Sequence, residues 1–306
     1  MGISSGKGPK VAVLMGGHSL EREVSLISGR ACSAALRGKD FEVLELDAGH
    51  DVVQRLSELR PDVVFNALHG RWGEDGSIQG VLEWLRIPYT HSGVMASALA
   101  MDKHRSKHIF SDFGLPTAQG FIIDKTNLIN AHPLQRPYVV KPINEGSSIG
   151  VYFVNPAEDP PLNLSSDMPS ILMVEEYIPG RELTVTVMGK KALLVTDIIT
   201  QKWYDYDAKY KNGGSVHEVP AKIPEKIKEK CLEYALSAHE LIGCRGISRA
   251  DFRWDESLGL DGLILLEINT QPGMTPTSLV PEQAEICGIK FGDLCQWLVE
   301  DASCDR

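Results

Sequence analysis

The sequence has no long hydrophobic run. No apolar stretch among its 306 residues is long enough to span a bilayer, and the N-terminal MGISSGKGPK lacks a signal-type apolar core. A cytoplasmic chain with no membrane partner is expected, its first few residues an appended or disordered tail. Excess positive charge is also missing. The formal net charge of -10 argues against nucleic acid as the main partner, although local basic patches can still hold small phosphates. Paired cysteines are absent too. The six thiols at 32, 231, 244, 287, 295 and 304 show no CxxC or zinc-type spacing, which points to reduced structural thiols. Internal repeats and low-complexity tracts are lacking. What remains, 43% hydrophobic and 24% charged, is an ordinary globular composition, long enough for two or three domains.

The most informative stretch is LILLEINTQPGMTPTS, Leu263 to Ser278. Its apolar start reads as a buried strand. Glu267 and Asn269, two apart, then share one face. A carboxylate beside an amide oxygen suits Mg²⁺. Upstream, SRADFRW at Ser248 places Arg249 and Asp251 two apart as well. A hairpin centred on Gly259 sets Asp251 opposite Glu267 and Arg249 opposite Asn269. Facing carboxylates repel unless a cation lies between them. A divalent metal meets that need; a solvated hairpin face is the plain alternative, since a one-residue slip destroys the pairing.

Upstream of these segments the chain begins with alternation. Val11 to Met15 is a strand, GGHS a turn, and Glu21 to Leu36 a helix with Val24, Ile27, Ala31 and Ala35 on its apolar face. Such a turn binds an anion or an amino-acid group, or is simply a turn. Gly2 to Lys7, GISSGK, is one residue short of a P-loop with no strand before it, and is discarded. Strands at 41–46 and 62–68 alternate with helices at 52–59 and 77–85, a parallel α/β unit. His69 follows a strand end, where such sheets place ligands, and reads as an orienting residue. Ser92 to Ala100 is small and turn-rich, with a domain boundary at its end. A basic helix from Met101 to His108 reads as a solvated face. Lys141 ends a strand at the mouth of the glycine- and serine-rich loop NEGSSIG, Asn144 to Gly150, whose backbone N–H groups suit a phosphate. Ala157 to Pro169 reads as an exposed insertion. Glu175 and Glu182 suit a ribose or an adenine amine, or are edge-strand charges. WYDYDAKYKNGG, Trp203 to Gly214, has no period and reads as a long loop of the lid type. An amphipathic helix spans 224–242, and 281–299 closes the chain as helix, turn and helix.

Taken together, the motifs resemble those of the ATP-grasp enzymes, specifically the bacterial D-alanine:D-alanine ligases. The match covers nearly the whole chain. It runs through GGHSLEREVS, NALHGRWGEDGSIQG, SGVMASALAMDKHRSK, VKPINEGSSIG, EEYIPGRELTV, YDYDAKY, SRADF and LLEINTQPGMTPTSLVP, in that order. Gln271 and Pro276 are small departures at variable positions of the family.

The resemblance implies a mixed α/β ATP-grasp fold with a Rossmann-like N-terminal domain. It divides the chain into 1–99 on the substrate side, 100–184 as the central ATP-grasp part, and 185–306 as the catalytic part with a lid at about 203–214. ATP would lie between the last two. By the same resemblance Lys103 and Lys141 hold phosphates. Glu175, Glu176, Tyr177 and Ile178 line the adenine pocket and Glu182 holds the ribose. Asp251, Glu267 and Asn269 ligate two Mg²⁺ (or Mn²⁺) ions. Glu21 receives the ammonium of the first D-alanine beside His69, and Ser147 and Tyr210 complete a trio with Glu21. Lys209 reaches the transferred phosphate, Arg249 and the Gly273 N–H form the oxyanion site, and Ser278 binds the second D-alanine's carboxylate. The implied activity is ATP-dependent joining of two D-alanines for peptidoglycan precursors, through a D-alanyl phosphate, in a homodimer. Tyr210 favours a dipeptide product over a D-alanine:D-lactate depsipeptide, because a neutral phenol (ordinary pKa about 10) does not repel an ammonium. A nucleotide-binding regulator without catalysis is the reading from another class; the metal trio, Arg249 and both phosphate lysines oppose it.

Overall fold

A computed structural model describes residues 8–128, 131–147, 149–157, 162, 164–200 and 214–305. Lys209, Tyr210, most of the expected lid and the GISSGK segment lie outside the described residues.

The first sheet is parallel, in the order β2 (Glu42–Asp47), β1 (Lys10–Met15), β3 (Val63–Asn66). β1 is apolar on both faces and fully buried over Val11 to Leu14, as a central parallel strand must be. Helix α1 (Arg22–Arg37) packs on it so closely that a Cβ on Gly29 would stand 2.5 Å from Met15 Cβ. Glycine at that position sets the spacing between helix and sheet. Two further helices, α2 (Val52–Leu59) and α3 (Ser77–Leu85), complete this part.

Ser92 to Ala100 is not the turn-rich stretch expected. Val94–Met101 is a helix, α4, because alanine and methionine are strong helix formers and the small Ala96 and Ala100 pack inward. The basic helix starts one step later, as α5 (Lys103–Asp112). Asp102 caps it, accepting from the Arg105 N–H at 2.9 Å. Nor is its basic face simply solvated: Lys103 and Lys107 are buried.

A four-stranded antiparallel sheet follows, ordered β4 (Gly120–Asp124), β7 (Ile171–Glu176), β5 (Tyr138–Pro142), β6 (Tyr152–Val154). The expected exposed insertion is only partly so: Leu162, Leu164 and Met168 pack onto the Leu128, Tyr138 and Leu172 core of this sheet.

The third sheet is antiparallel and five-stranded: β10 (Val216–Glu218), β9 (Lys191–Ile199), β8 (Arg181–Met188), β11 (Ile247–Trp254), β12 (Leu263–Asn269). Helix α6 (Glu225–Ile242) lays Ile227, Cys231, Ala235, Ala238 and Ile242 against it, the stripe its 3.6-residue period requires. The chain closes with α7 (Leu279–Ile286) and α8 (Phe291–Asp301). Leu294, Cys295 and Leu298 of α8 share a core with Val11, Val13, Cys32 and Leu36, so the two ends of the chain fold onto each other.

His239 on α6 is 4% exposed, its Nδ1 2.7 Å from Ser248 Oγ. Burial pushes its pKa down to about 4. The folded state therefore favours neutral imidazole. That contribution is complete above the ordinary value near 6.5 and is lost as pH falls toward 4. Between pH 7 and pH 5 the loss is about 2 kcal/mol. Urea unfolding at both pH values checks it: the His239→Gln variant should lose less stability on acidification than the unmodified chain by about that amount. Equal losses would contradict the assignment.

Candidate active site

The register of β11 and β12 builds one wall of the site. Arg249 pairs with Asn269 and Asp251 with Glu267, the pairing expected from the two-residue spacings. A bulge after Asp251 leaves this alignment intact. Cations meet both carboxylates. Arg249 grips Asp251 with two bonds, Nε to Oδ1 at 2.8 Å and Nη2 to Oδ2 at 2.6 Å, the fork geometry that favours arginine. Thr184 Oγ1 donates to Asp251 Oδ1 at 2.6 Å. Lys103 Nζ stands 3.4 Å from Glu267 Oε2 and donates to the Glu145 carbonyl at 2.6 Å. Asn269 Oδ1 accepts from the Gln271 N–H at 2.7 Å.

The donor set of Asp251, Glu267 and Asn269 fits a hard divalent cation: two carboxylates and an amide oxygen at the end of one hairpin. That the carboxylates draw Arg249 and Lys103 shows a local field that demands positive charge. Among the described residues no three acidic, histidine or cysteine side chains gather into a ready cage; the third donor here is the amide.

The second wall is the small sheet. Glu175 on β7 is buried between two lysines, with Lys107 on Oε2 and Lys141 on Oε1. Burial alone would raise its pKa, but the two ammonium groups outweigh that and hold it down to about 2. Lys107 is lowered, by burial first and by Lys141, against the pull of Glu175. The Glu175 carboxylate is thus spent on lysines rather than offered to an adenine amine. Lys107 is a residue the sequence reading missed: its signal was the (i, i+4) spacing from Lys103 on one helix face. Glu176 is exposed and accepts from the Gln119 N–H at 2.9 Å. Glu182 accepts from Arg253 at 3.4 Å, while Arg253 also donates to the Ile178 carbonyl at 3.1 Å. Tyr177, Ile178 and Glu182 line one cleft of about 860 Å³ with Lys103, Lys141, Glu175, Asp251 and Glu267.

A second cleft of about 930 Å³ adjoins it, with Lys103, Gly146 and Glu267 on both. Glu21, His69, Ser147, Arg249, Asn269, Gly273 and Ser278 line it. Glu21 precedes α1, is 4% exposed, and accepts from the Ser147 hydroxyl. Ser147 has φ of 49°, a left-handed conformation that presents its side chain at a local cost. Gly70, at φ of 70°, lies so close to Glu21 that any Cβ would collide with its carboxylate. His69 is 4% exposed, with Nε2 2.9 Å from Ser28 Oγ and Nδ1 3.2 Å from Glu74 Oε1. Burial works to lower its pKa, but Glu74, with Glu21 behind it, raises it overall. Ser278 Oγ accepts from the Thr275 N–H at 3.0 Å and touches the Thr275 hydroxyl at 2.7 Å. A Cβ at Gly273 would stand 2.9 Å from that oxygen.

Gln271 was passed over in the sequence as a variable position, yet it is 1% exposed. It exchanges two hydrogen bonds with Asn66, at 3.2 Å and 2.5 Å, tying the end of β12 to the end of β3. A single glutamine carries no periodic signal, so nothing in the sequence marks it.

Lysines on one wall, in-register carboxylates on the other and an acid-lined pocket beneath a glycine loop define an ATP-grasp carboxylate ligase. Comparison with known proteins narrows the class. Residues 47–92 match the model of the D-ala D-ala ligase N-terminus and residues 109–300 that of the D-ala D-ala ligase C-terminus. The D-alanine–D-alanine ligase of Ruegeria pomeroyi is 66% identical over 306 residues, covering 100% of both chains. That of Cereibacter sphaeroides is 65% identical over 298 residues, 97% of each. A crystal structure of the Bacillus anthracis D-alanine–D-alanine ligase complexed with ATP superposes with a TM-score of 0.78 at 28% identity, covering 96% of this chain and 97% of that one. The chain belongs to the D-alanine–D-alanine ligase family.

Breaking a buried ion pair by removing one partner costs about 3–5 kcal/mol. Glu175→Gln, which leaves Lys107 and Lys141 without their shared carboxylate, should lower unfolding free energy by that amount in urea at pH 7. A loss below about 1 kcal/mol would show that the triad does not hold this wall together.

Proposed function

We propose that this chain joins two D-alanine molecules into D-alanyl-D-alanine with cleavage of ATP to ADP and phosphate, supplying peptidoglycan precursors. The observation that carries the reading is the pairing of Asp251 with Glu267 in register, facing the lysine wall across adjoining clefts. A carboxylate acylates poorly because oxide is its leaving group; phosphorylation by ATP gives it a better one. Phosphoryl transfer of this kind is mainly a task of positioning and charge neutralisation.

In this reading ATP lies in the cleft between the small sheet and the β11–β12 hairpin, its phosphates met by Lys103 and Lys141. Glu175, Glu176, Tyr177 and Ile178 belong to the adenine end, the first as the anchor that positions Lys141, and Glu182 takes the ribose. Asp251, Glu267 and Asn269 are the residues that would hold two Mg²⁺ or Mn²⁺ ions, whose chemistry there is neutralisation of phosphate charge. Glu21, oriented by Ser147 and flanked by His69, receives the first D-alanine's ammonium. Arg249 and the Gly273 N–H stabilise the oxyanion of the tetrahedral intermediate. Arg249 must then divide its guanidinium between Asp251 and substrate, or release one for the other. Ser278 meets the second D-alanine's carboxylate. Lys209 and Tyr210 complete the phosphate and Glu21 contacts in this reading; both lie outside the described residues.

The division at 99 and 184 belongs to the same reading; the parallel sheet lies before the first point and the small antiparallel sheet between the two, while the points themselves fall within α4 and β8. So do a homodimer and a cytoplasmic location; among the described residues no helix is long and apolar enough to cross a membrane.

The test is coupled ADP release with ATP and Mg²⁺, offering D-alanine, L-alanine, or D-alanine with D-lactate, with products identified by mass. D-alanine-dependent ADP and a dipeptide, with no L-alanine response, is expected. A depsipeptide product would move the acceptor assignment, and no release with any acceptor would remove the ligase reading. Asp251→Asn and Glu267→Gln should each lower turnover at least about 10²-fold, the scale of losing a group that stabilises transition-state charge. Near-normal turnover in limiting Mg²⁺ would remove the metal assignment.

A further inference from the structure

The second D-alanine arrives as an ammonium and must shed a proton before its nitrogen can attack. Lys103, Lys141 and Arg249 are cations, and Glu21, with His69 beside it held by Ser28 and Glu74, is committed to the first substrate. His217 answers the need. It lies on β10, the edge strand, in register with Ile198 of β9, and lines the same cleft as Arg249, Gly273 and Ser278. Its Nδ1 is 2.8 Å from Glu282 Oε2 on α7, and its Nε2 is 3.1 Å from Ser215 Oγ. A carboxylate only accepts, so Nδ1 carries the ring hydrogen and Nε2 is the accepting nitrogen, bonded by the Ser215 hydroxyl. Hydroxyl, imidazole and carboxylate in that order form a chain that draws a proton one way.

We propose that His217 is the base that takes a proton from the second D-alanine's ammonium, with Glu282 as its positioning residue. This rests on the ligase reading above. The step balances as follows. The ammonium displaces the Ser215 hydroxyl from His217 Nε2 and gives up one proton there, leaving an imidazolium beside the Glu282 carboxylate. The freed nitrogen pair forms a bond to the acyl carbon of D-alanyl phosphate, and the C–O bond to phosphate breaks with its electron pair. The nitrogen's second surplus proton leaves with the phosphate. Charged groups sharing the cleft are Glu21, Glu74, Lys103, Arg249 and Glu267, and β9 presents Asp197, already paired with Arg181. Glu282 is bonded to the ring itself. The plain alternative is that His217 and Glu282 merely tie β10 to α7.

Hydroxylamine separates the two. It is neutral near pH 7 and traps the acyl phosphate as a hydroxamate without needing a base. In His217→Gln, D-alanyl-D-alanine formation at pH 7 should fall about 10²-fold, within the range of general-base catalysis. Hydroxylamine-dependent ADP release with the first D-alanine should stay within about twofold. The gap should close as pH rises and free amine becomes available from solution. Glu282→Gln should keep more dipeptide formation than His217→Gln and leave hydroxylamine-dependent ADP release within about twofold, since it disturbs only the placement of the ring. Equal loss of both reactions in either variant would show a structural role and overturn the proposal. Unchanged dipeptide formation would also overturn it. An unmodified chain that forms no hydroxamate would sink the acyl-phosphate reading first, and the proton acceptor with it.

Discussion

Two carboxylates face each other across an antiparallel pair, and the surrounding structure answers their repulsion. Asp251 and Glu267 occupy opposed positions on β11 and β12, an arrangement that is unfavourable without positive charge nearby. Arg249 comes from the same strand as Asp251, two residues earlier, and so from the same face. Lys103 comes from a helix more than a hundred residues upstream. The pairing therefore ties α5 to the hairpin, and α5 carries Lys107 to the Glu175 triad on the small sheet. A repulsion within one hairpin is thus converted into contacts that span the cleft.

The same economy governs the other joint. Asn66 ends the parallel sheet and Gln271 follows the antiparallel one; the Gln271 amide accepts from the Asn66 side chain and donates to the Asn66 main-chain carbonyl in a buried setting. Unmade, those bonds would leave buried polar groups at a cost of about 1–3 kcal/mol each. His69 and Glu21 line the cleft beside this joint, which takes its shape from where the two sheets meet. The adjoining cleft takes its own from the facing sheets. Sharing Lys103, Gly146 and Glu267 lets a group transferred between the clefts remain beside the same charges.

Much of this was legible in the sequence, and for identifiable reasons. The two-residue spacings in SRADF and LLEIN state a shared strand face, and an apolar run fixes the register that aligns them. Strand–turn–helix alternation announces the parallel sheet. What escaped was long-range or non-periodic. Lys107 looked like one charge on a solvated face because its partner, Glu175, is far away in the chain. Gln271 is a lone amide in a turn-rich tail. The α4 helix hid in small residues that read as a turn, since Ser and Gly at its start suggested loop while Ala supplied helix propensity. His217 follows a stretch with no period, and only folding brings Glu282 to its ring. For Lys107, Gln271 and His217 the missing information is which distant residue completes the pair, and spacing does not encode that.

In the proposed reaction a D-alanine carboxylate oxygen becomes the bridge to phosphorus in this cleft. Turnover of D-alanine labelled with ¹⁸O in its carboxylate, with the released phosphate and the dipeptide weighed by mass spectrometry, tests it most directly. The account predicts transfer of one carboxylate oxygen to phosphate for each D-alanyl-D-alanine formed. Dipeptide formation with unlabelled phosphate would contradict the acyl phosphate, and with it the roles given to the lysine wall and the paired carboxylates.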